Sequence, residues 1–369
     1  MNFKNLISLI FIFSIAVFQC KPGNYSHKNT DTTKTSDIKI QEVKPESISI
    51  IGVGDIMPGS NYPPPGSLPP DDGKYLFDDV KDILQDADIT CGNLEGALLD
   101  RGGTPKKCND TLGNCHSFRI PTRYAGYLKD AGFDFLNLAN NHSGDMGLEG
   151  RESTYETLEK NDLEFAGTLD YPTATLEKDG IKYGFAGFAP NNGTISIINF
   201  KKAGEIISEL KKEADIVIVF FHGGAEGLSA QNVTGNDETY LGENRGNVYE
   251  FAHAVIDAGA DVVFGSGPHV TRAIELYKGR FIAYSLGNFC TYGKFGLNGA
   301  MGIAPIIKVY LNKKGEFVGG EITPVKQIKH GFPVIDEDNR VIKTIQVLTE
   351  KDFPDDKLVI DDAGRIEKR

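Results

Sequence analysis

The feature that most constrains this chain is a recurrence. An apolar run breaks off into glycine and polar residues, and a segment with helical spacing follows before the next run. The runs read "SISIIGVGDIMPG" (47–59), "ITCGNLEG" (89–96), "DFLNLANNHSGDMG" (134–147), "DIVIVFFHGGAE" (215–226), "DVVFGSGPHV" (261–270) and "GRFIAYSLGNF" (279–289). "LEFAGT" and "IKYGFAGFAP" read as further strands. Between them lie "YLFDDVKDILQDAD", "PTRYAGYLKDAGF", "GRESTYETLEKND", "FKKAGEIISELKKEA" and "NVYEFAHAVIDAGA", whose apolar residues recur at helical intervals. Strands apolar on both faces, alternating with helices, predict an α/β fold whose sheets are covered on both sides. Its 42 glycines sit mostly in such breaks and read as tight loops at strand ends.

The polar residues gather just after the strands: Asp55, Glu95, Asn140, Asn141, His142, Asp145, His222, Glu226 and His269. Sites in open α/β sheets form at the carboxyl ends of strands. Singly each residue has a plainer reading. Asp55 fits a helix N-cap or turn, Glu95 a solvated loop charge, Asn141 and Asp145 Asx turns, and His142 a satisfied loop histidine. His222 closes a fully apolar strand and is followed by Gly-Gly, and His269 in "GSGPHV" repeats that arrangement. Together they form a set of mixed oxygen and nitrogen donors that suits zinc, manganese or iron, whereas magnesium alone would not need the histidines. Two ions bridged by a carboxylate could activate water and clamp a phosphoryl group, with His142 protonating the leaving oxygen.

The N-terminus reads as a targeting segment. After "MNFKN" comes "LISLIFIFSIAVF", an apolar run of about 13 residues, short for a bilayer span and the right size for a signal-peptide core. Residues 1–19 are therefore expected to be a signal peptide. Cys20 follows at once and is the candidate lipidation site, although Phe18 and Gln19 are larger than the usual residues before such a cysteine. Residues 20–46 read as a lipidated flexible tether, rich in Lys, Thr, Ser and Asp. An exported, lipid-anchored protein of the bacterial envelope occupies an oxidising compartment. Cys108 and Cys115 bracket "NDTLGN" and are a candidate disulfide, the alternative being a zinc site with His116. Cys91, inside a strand-like run, is expected to be a buried thiol. A formal net charge of −12 argues against a nucleic-acid partner.

"GVGDIMPG", "GNLEGAL", "AGFDFLNLANNHSGDMG", "IVIVFFHGGAE", "DVVFGSGPHV" and "GRFIAYSLGNF" resemble the bacterial capsule-synthesis CapA family, in order and with natural spacing over roughly residues 47–330. That family is linked to poly-γ-glutamate synthesis and export, and its domain is of the calcineurin-like metallo-dependent phosphatase type. The resemblance implies a four-layer α/β/β/α sandwich over 47–330, and residues 331–369 themselves read as strands and a turn packed on the domain edge. The resemblance makes Asp55 the first-motif ligand, Glu95 the bridging carboxylate, Asn141, His222 and His269 further ligands, and His142 the catalytic histidine; Asp145 reads as a catalytic partner that orients that histidine or as the residue that closes the loop. Asn140, Glu226, Ser285 and Asn288 are expected to line the same cleft. Two departures stand out. Met57 lies where phosphatases carry a histidine, and Gly267 lies where the final motif usually carries its first histidine. The ligand count then allows two ions, one or none.

Two functions are left open. One is an anchored metal-dependent hydrolase acting on a surface polymer or small phosphoester. The other is a non-catalytic lipoprotein with a degenerate metal site that binds or guides a surface polymer or serves as a surface interaction protein; other capsule-export proteins are candidate partners.

Overall fold

The computed structural model describes residues 47–106 and 116–369. Among them ten strands form one sheet and six form a second. The first is centred on Ile48–Met57, which pairs in parallel with Ile89–Leu94 on one side and with Asn288–Thr291 near its carboxyl end. Its other neighbour, Ile303–Leu311, is antiparallel. The second sheet is centred on Ile216–His222 and Val262–Ser266, paired in parallel.

The two sheets face each other across one apolar layer in which Ile50, Cys91, Phe135 and Ile307 of the first meet Phe185, Phe220 and Phe264 of the second. The outer face of the first sheet is covered by the helices Tyr124–Ala131 and Gly147–Lys160 through Leu128 and Leu158. The outer face of the second is covered by Phe200–Glu213 and Val248–Asp257 through Ile207 and Phe251. The result is the four-layer α/β/β/α sandwich. Strands buried on both faces account for the unbroken apolar runs.

Three elements differ from the sequence reading. "YLFDDVKDILQDAD" keeps its apolar residues inward but is helical only over Lys81–Leu84. Turn bonds such as Val80 N–H to Phe77 C=O precede it, and the adjacent Asp78 and Asp79 are poor helix formers. "GRFIAYSLGNF" is two strands in different sheets: Arg280–Ala283 joins the second and Asn288–Thr291 the first. The chain crosses between sheets at 284–287. The crossing is tight: a Cβ on Gly54 would lie 1.9 Å from the Gly287 carbonyl oxygen. Finally, residues 331–369 hold a helix, Arg340–Asp352, as well as strands. Its Val341, Ile342 and Ile345 enter the layer between the sheets, so helical periodicity prevailed over the strand preference of β-branched residues.

Cys91 and Cys290 are buried free thiols. The candidate signal peptide, Cys20 with its tether, and the Cys108–Cys115 pair lie outside the described residues.

Candidate metal centre

Strand register assembles the site. In the first sheet Asn137 pairs with Asn93, Asn93 with Asp55, and Asp55 with Asn288, a polar row across four parallel strands, near the carboxyl ends of three and at the amino end of the fourth. In the second, His222 pairs with Ser266. Every member of both rows is buried.

Asn93, which the sequence reading passed over, is the hub. Its Nδ2 donates to Asp55 Oδ1 at 2.9 Å, and its Oδ1 accepts from Asn137 at 2.8 Å and Asn140 at 3.1 Å. Asn140 also donates to the Leu94 carbonyl and accepts the His142 backbone N–H, so it shapes the loop from behind. The signal for Asn93 and Asn137 was available: each is an amide side chain inside an apolar run, which must find partners when buried.

Asp55, Glu95 and His269 bring ligand atoms within 4.8 Å of one another. His269 adopts a left-handed backbone, φ 58°, and directs Nδ1 at Asp55 Oδ2, 2.9 Å away, and Asn288 Oδ1, 3.1 Å away. Its Nε2 is 3.9 Å from Glu95 Oε1 and 3.9 Å from Glu226 Oε2. Burial opposes charge on His269, but Glu95, Asp55 and Glu226 outweigh it and push its pKa up to about 10. Burial and then the Asp55 charge hold the Glu95 carboxyl well above the usual carboxylate range. Asp55 and Glu95 share the His269 imidazole, while Glu226 is paired with Arg245, and the resulting acidic pocket is one that a cation would stabilise.

The unsatisfied atoms agree with that. Both Glu95 oxygens, Asn141 Oδ1 and His222 Nε2 are buried without a hydrogen-bond partner. Native interiors tolerate few such groups, and these are all donors to a borderline cation. His222 is held neutral, its pKa driven well down by burial. Its Nδ1 lies 3.1 Å from Ser266 Oγ, which in turn reaches the Phe221 carbonyl. Asn93 Nδ2 lies 3.3 Å from the same Nδ1, and in the tautomer with Nδ1–H donating to Ser266, Nε2 keeps its lone pair for a ligand.

His142 stands beside this cluster, Nε2 3.8 Å from Glu95 Oε1. Asp145 Oδ2 accepts from Nδ1 at 2.6 Å and also from the Phe118 backbone N–H at 2.5 Å. Lys106 is 2.9 Å from Asp145 Oδ1 and donates to the Asn141 carbonyl. Phe118 stacks on the imidazole with centroids 4.2 Å apart. Burial, partly offset by Asp145, pushes the His142 pKa down to about 4. At neutral pH His142 therefore presents an unprotonated Nε2, and must take up a proton before it can act as the acid expected from sequence. Lys106 gave no sequence signal, because only the folded loop brings it here. Beside Phe118, Lys106 and Lys294 line a cavity of about 300 Å³ together with Tyr62 and His116.

The remaining residues separate. Glu226 lies at the rim against Arg245, 2.7 Å away, another residue not foreseen. Asn288 is in the site. Ser285 is in the crossover turn, where its Oγ accepts from the Gly287 N–H. Met57 is packed in the apolar layer under the outer helices, with Phe289 among its cluster. At Gly267, φ is +114°, and an added Cβ would lie 2.8 Å from both N and O of Gly223. No side chain fits there without moving the backbone.

A four-layer α/β/β/α sandwich with carboxylate, amide and imidazole groups collected at its strand ends is the architecture that the sequence resemblance implies. The bacterial capsule synthesis protein PGA_cap family matches residues 49–292, and the chain belongs to that family. It is 29% identical over 275 residues to the PGA biosynthesis protein CapA of Bacillus subtilis (strain 168), covering 69% of this chain and 66% of that protein. To the capsule biosynthesis protein CapA of Bacillus anthracis it is 29% identical over 265 residues, covering 66% of this chain and 60% of that one. The matches thus span less than two thirds of those relatives' length. Among solved structures, the calcineurin-like phosphoesterase YfkN from Bacillus subtilis aligns over 75% of this chain and 90% of that one, at 15% identity and a TM-score of 0.42.

Proposed function

We propose that this protein is an envelope-anchored hydrolase of capsule or poly-γ-glutamate-type polymer metabolism that depends on a divalent cation. The observation that carries the reading is the buried Asp55–Glu95–His269 cluster, together with the partnerless atoms of Glu95, Asn141 and His222. These residues would hold one or two ions of manganese, zinc or iron. Such an ion supplies Lewis acidity and lowers the pKa of bound water.

The chain's own groups do the rest. Asp145 holds His142 in the Nδ1–H tautomer, which leaves Nε2 to accept a proton at the face towards Glu95 and return it to a departing oxygen or nitrogen. Phe118 packs on the imidazole and keeps water from that side. Lys106 and Lys294 line the adjoining cavity and suit an anionic substrate, whether a carboxylate-bearing surface polymer or a small phosphoester. A net charge of −12 disfavours nucleic acid. Anchoring through lipid on Cys20 would hold this cleft at a membrane surface, where other capsule-export proteins are candidate partners.

The test is purified protein loaded with Mn²⁺ or Zn²⁺ and assayed on a generic phosphodiester and on poly-γ-glutamate. Turnover that needs the ion and falls in His142→Ala supports the reading. Full stability in chelator, with no stoichiometric metal and no turnover, instead favours a non-catalytic polymer-binding protein. The missing side chain at Gly267 is the observation on that side.

A further inference from the structure

We propose that Glu226 is a ligand of the cation held by Glu95 and His269, standing in for the side chain that position 267 cannot carry, and that Arg245 is the residue that positions it. The inference rests on the cation reading of the same site.

Gly267 and Glu226 belong to two loops laced together by backbone bonds. Gly223 N–H donates to the Ser266 carbonyl and Gly227 N–H to the Pro268 carbonyl, each at 2.9 Å. The Gly223 backbone occupies the space a Cβ on Gly267 would need. Three residues further on, the same loop delivers Glu226 to His269. His269 Nδ1 is engaged by Asp55, so Nε2 is the nitrogen left to bind. Glu95 Oε1 and Glu226 Oε2 both stand 3.9 Å from it. Each separation from His269 is too long for a hydrogen bond and matches the roughly 3–4 Å between two ligands of one ion, while Glu226 lies outside the Asp55–Glu95–His269 set whose ligand atoms fall within 4.8 Å of one another and so has to close towards Glu95 to share it.

Glu226 is held beside His269. Arg245, 2% exposed, donates from Nη2 to Glu226 Oε1 and leaves Oε2 directed at His269. The Arg245 carbonyl accepts the Gly224 N–H. Arg245 belongs to a hairpin whose other strand carries Glu238, and Glu238 accepts the Ala225 N–H at 2.8 Å while the buried Arg272 grips it at 2.8 and 2.7 Å. Every residue from Gly223 to Gly227 except Glu226 is thus fixed through its backbone, and Glu226 through its side chain. A buried arginine would also balance the charge of a third carboxylate at the ion.

The experiment is Mn²⁺ binding to the full chain, read by the loss of the free-ion electron paramagnetic resonance signal and by titration calorimetry, with melting in chelator as the folding control. Glu226→Gln keeps shape and an acceptor for Arg245 but removes the charged ligand. Glu226→Asp keeps charge but shortens the reach. Supporting groups around a metal typically contribute about 10–100-fold in affinity. Arg245→Lys should therefore weaken Mn²⁺ in that range, and both Glu226 variants by at least as much. An ion pair with only a structural role would lower the melting point in chelator and leave the affinity of the folded fraction unchanged. If Glu226→Gln and Glu226→Asp bind Mn²⁺ as tightly as the parent, the inference is overturned while the cation reading stands. If the parent binds no Mn²⁺, Zn²⁺ or Fe²⁺, both fall together.

Discussion

Restoring a histidine at position 267 should damage the site. Gly267 sits at φ +114°, a region that costs an L-residue about 1–3 kcal/mol. A Cβ there would stand 2.8 Å from two backbone atoms of Gly223. Relief requires moving a segment whose Gly223 N–H is bonded to Ser266 and which follows directly on His222. Overpacking of this kind adds about 1–3 kcal/mol. Gly267→Ala should thus lose roughly 2–6 kcal/mol, and Gly267→His at least that. At about 2–4 °C per kcal/mol for a large domain, melting should fall by about 4–24 °C. Calorimetric melting of both variants, in chelator and in Mn²⁺, reads this directly. A Gly267→Ala protein melting within about a degree of the parent would refute the strain argument. So would a Gly267→His protein that folds normally and binds Mn²⁺ more tightly, because the new imidazole would then have found room.

Saturating cation should stabilise the parent: at about 100 times Kd the gain is about 2.7 kcal/mol, and an unchanged melting point on titration with Mn²⁺ would count against a buried site. His142→Ala should reduce turnover about 10²–10⁴-fold while leaving Mn²⁺ affinity nearly intact, since the imidazole adjoins the ligand cluster without completing it; equal losses in both would make His142 a ligand. Asp145→Asn should cut turnover as well and also lower stability, because it weakens the hold on Lys106, the Phe118 N–H and His142 at once; urea unfolding beside the rate assay separates the two effects. Asn93→Ala removes the partner of Asp55, Asn137 and Asn140, and with each buried orphan costing about 1–3 kcal/mol it should be among the most destabilising single changes in the site.

The two kinds of miss at the site have different physical origins. Asn93 and Asn137 stand inside runs dominated by strand-forming residues, where a short amide is easily passed over, yet burial obliges it to bond. Lys106, Phe118 and Arg245 arrive from segments with no periodic signal, and only loop closure gives them partners. Ser285 went the other way. Its place in "YSLGNF" suggested the cleft, but the chain crosses between sheets there, and its hydroxyl satisfies the Gly287 N–H instead. The helix Arg340–Asp352 was hidden because Val341, Ile342 and Ile345 favour strands locally, while their spacing buries one helical face.

By itself the sequence determined the alternation of helices and doubly buried strands, and the polar residue that ends each strand. Those depend on local periodicity, and burial on both faces leaves its record in every run. Register, by contrast, pairs residues from distant parts of the chain, and only the tertiary structure could decide it. Register set Asn137, Asn93, Asp55 and Asn288 in one row. The meeting of the two sheets then brought His269 within 2.9 Å of Asp55 across 214 positions of sequence. The same packing closed the space at Gly267 and placed Glu226 beside His269, because backbone bonds between two loops fix which side chains can share that space.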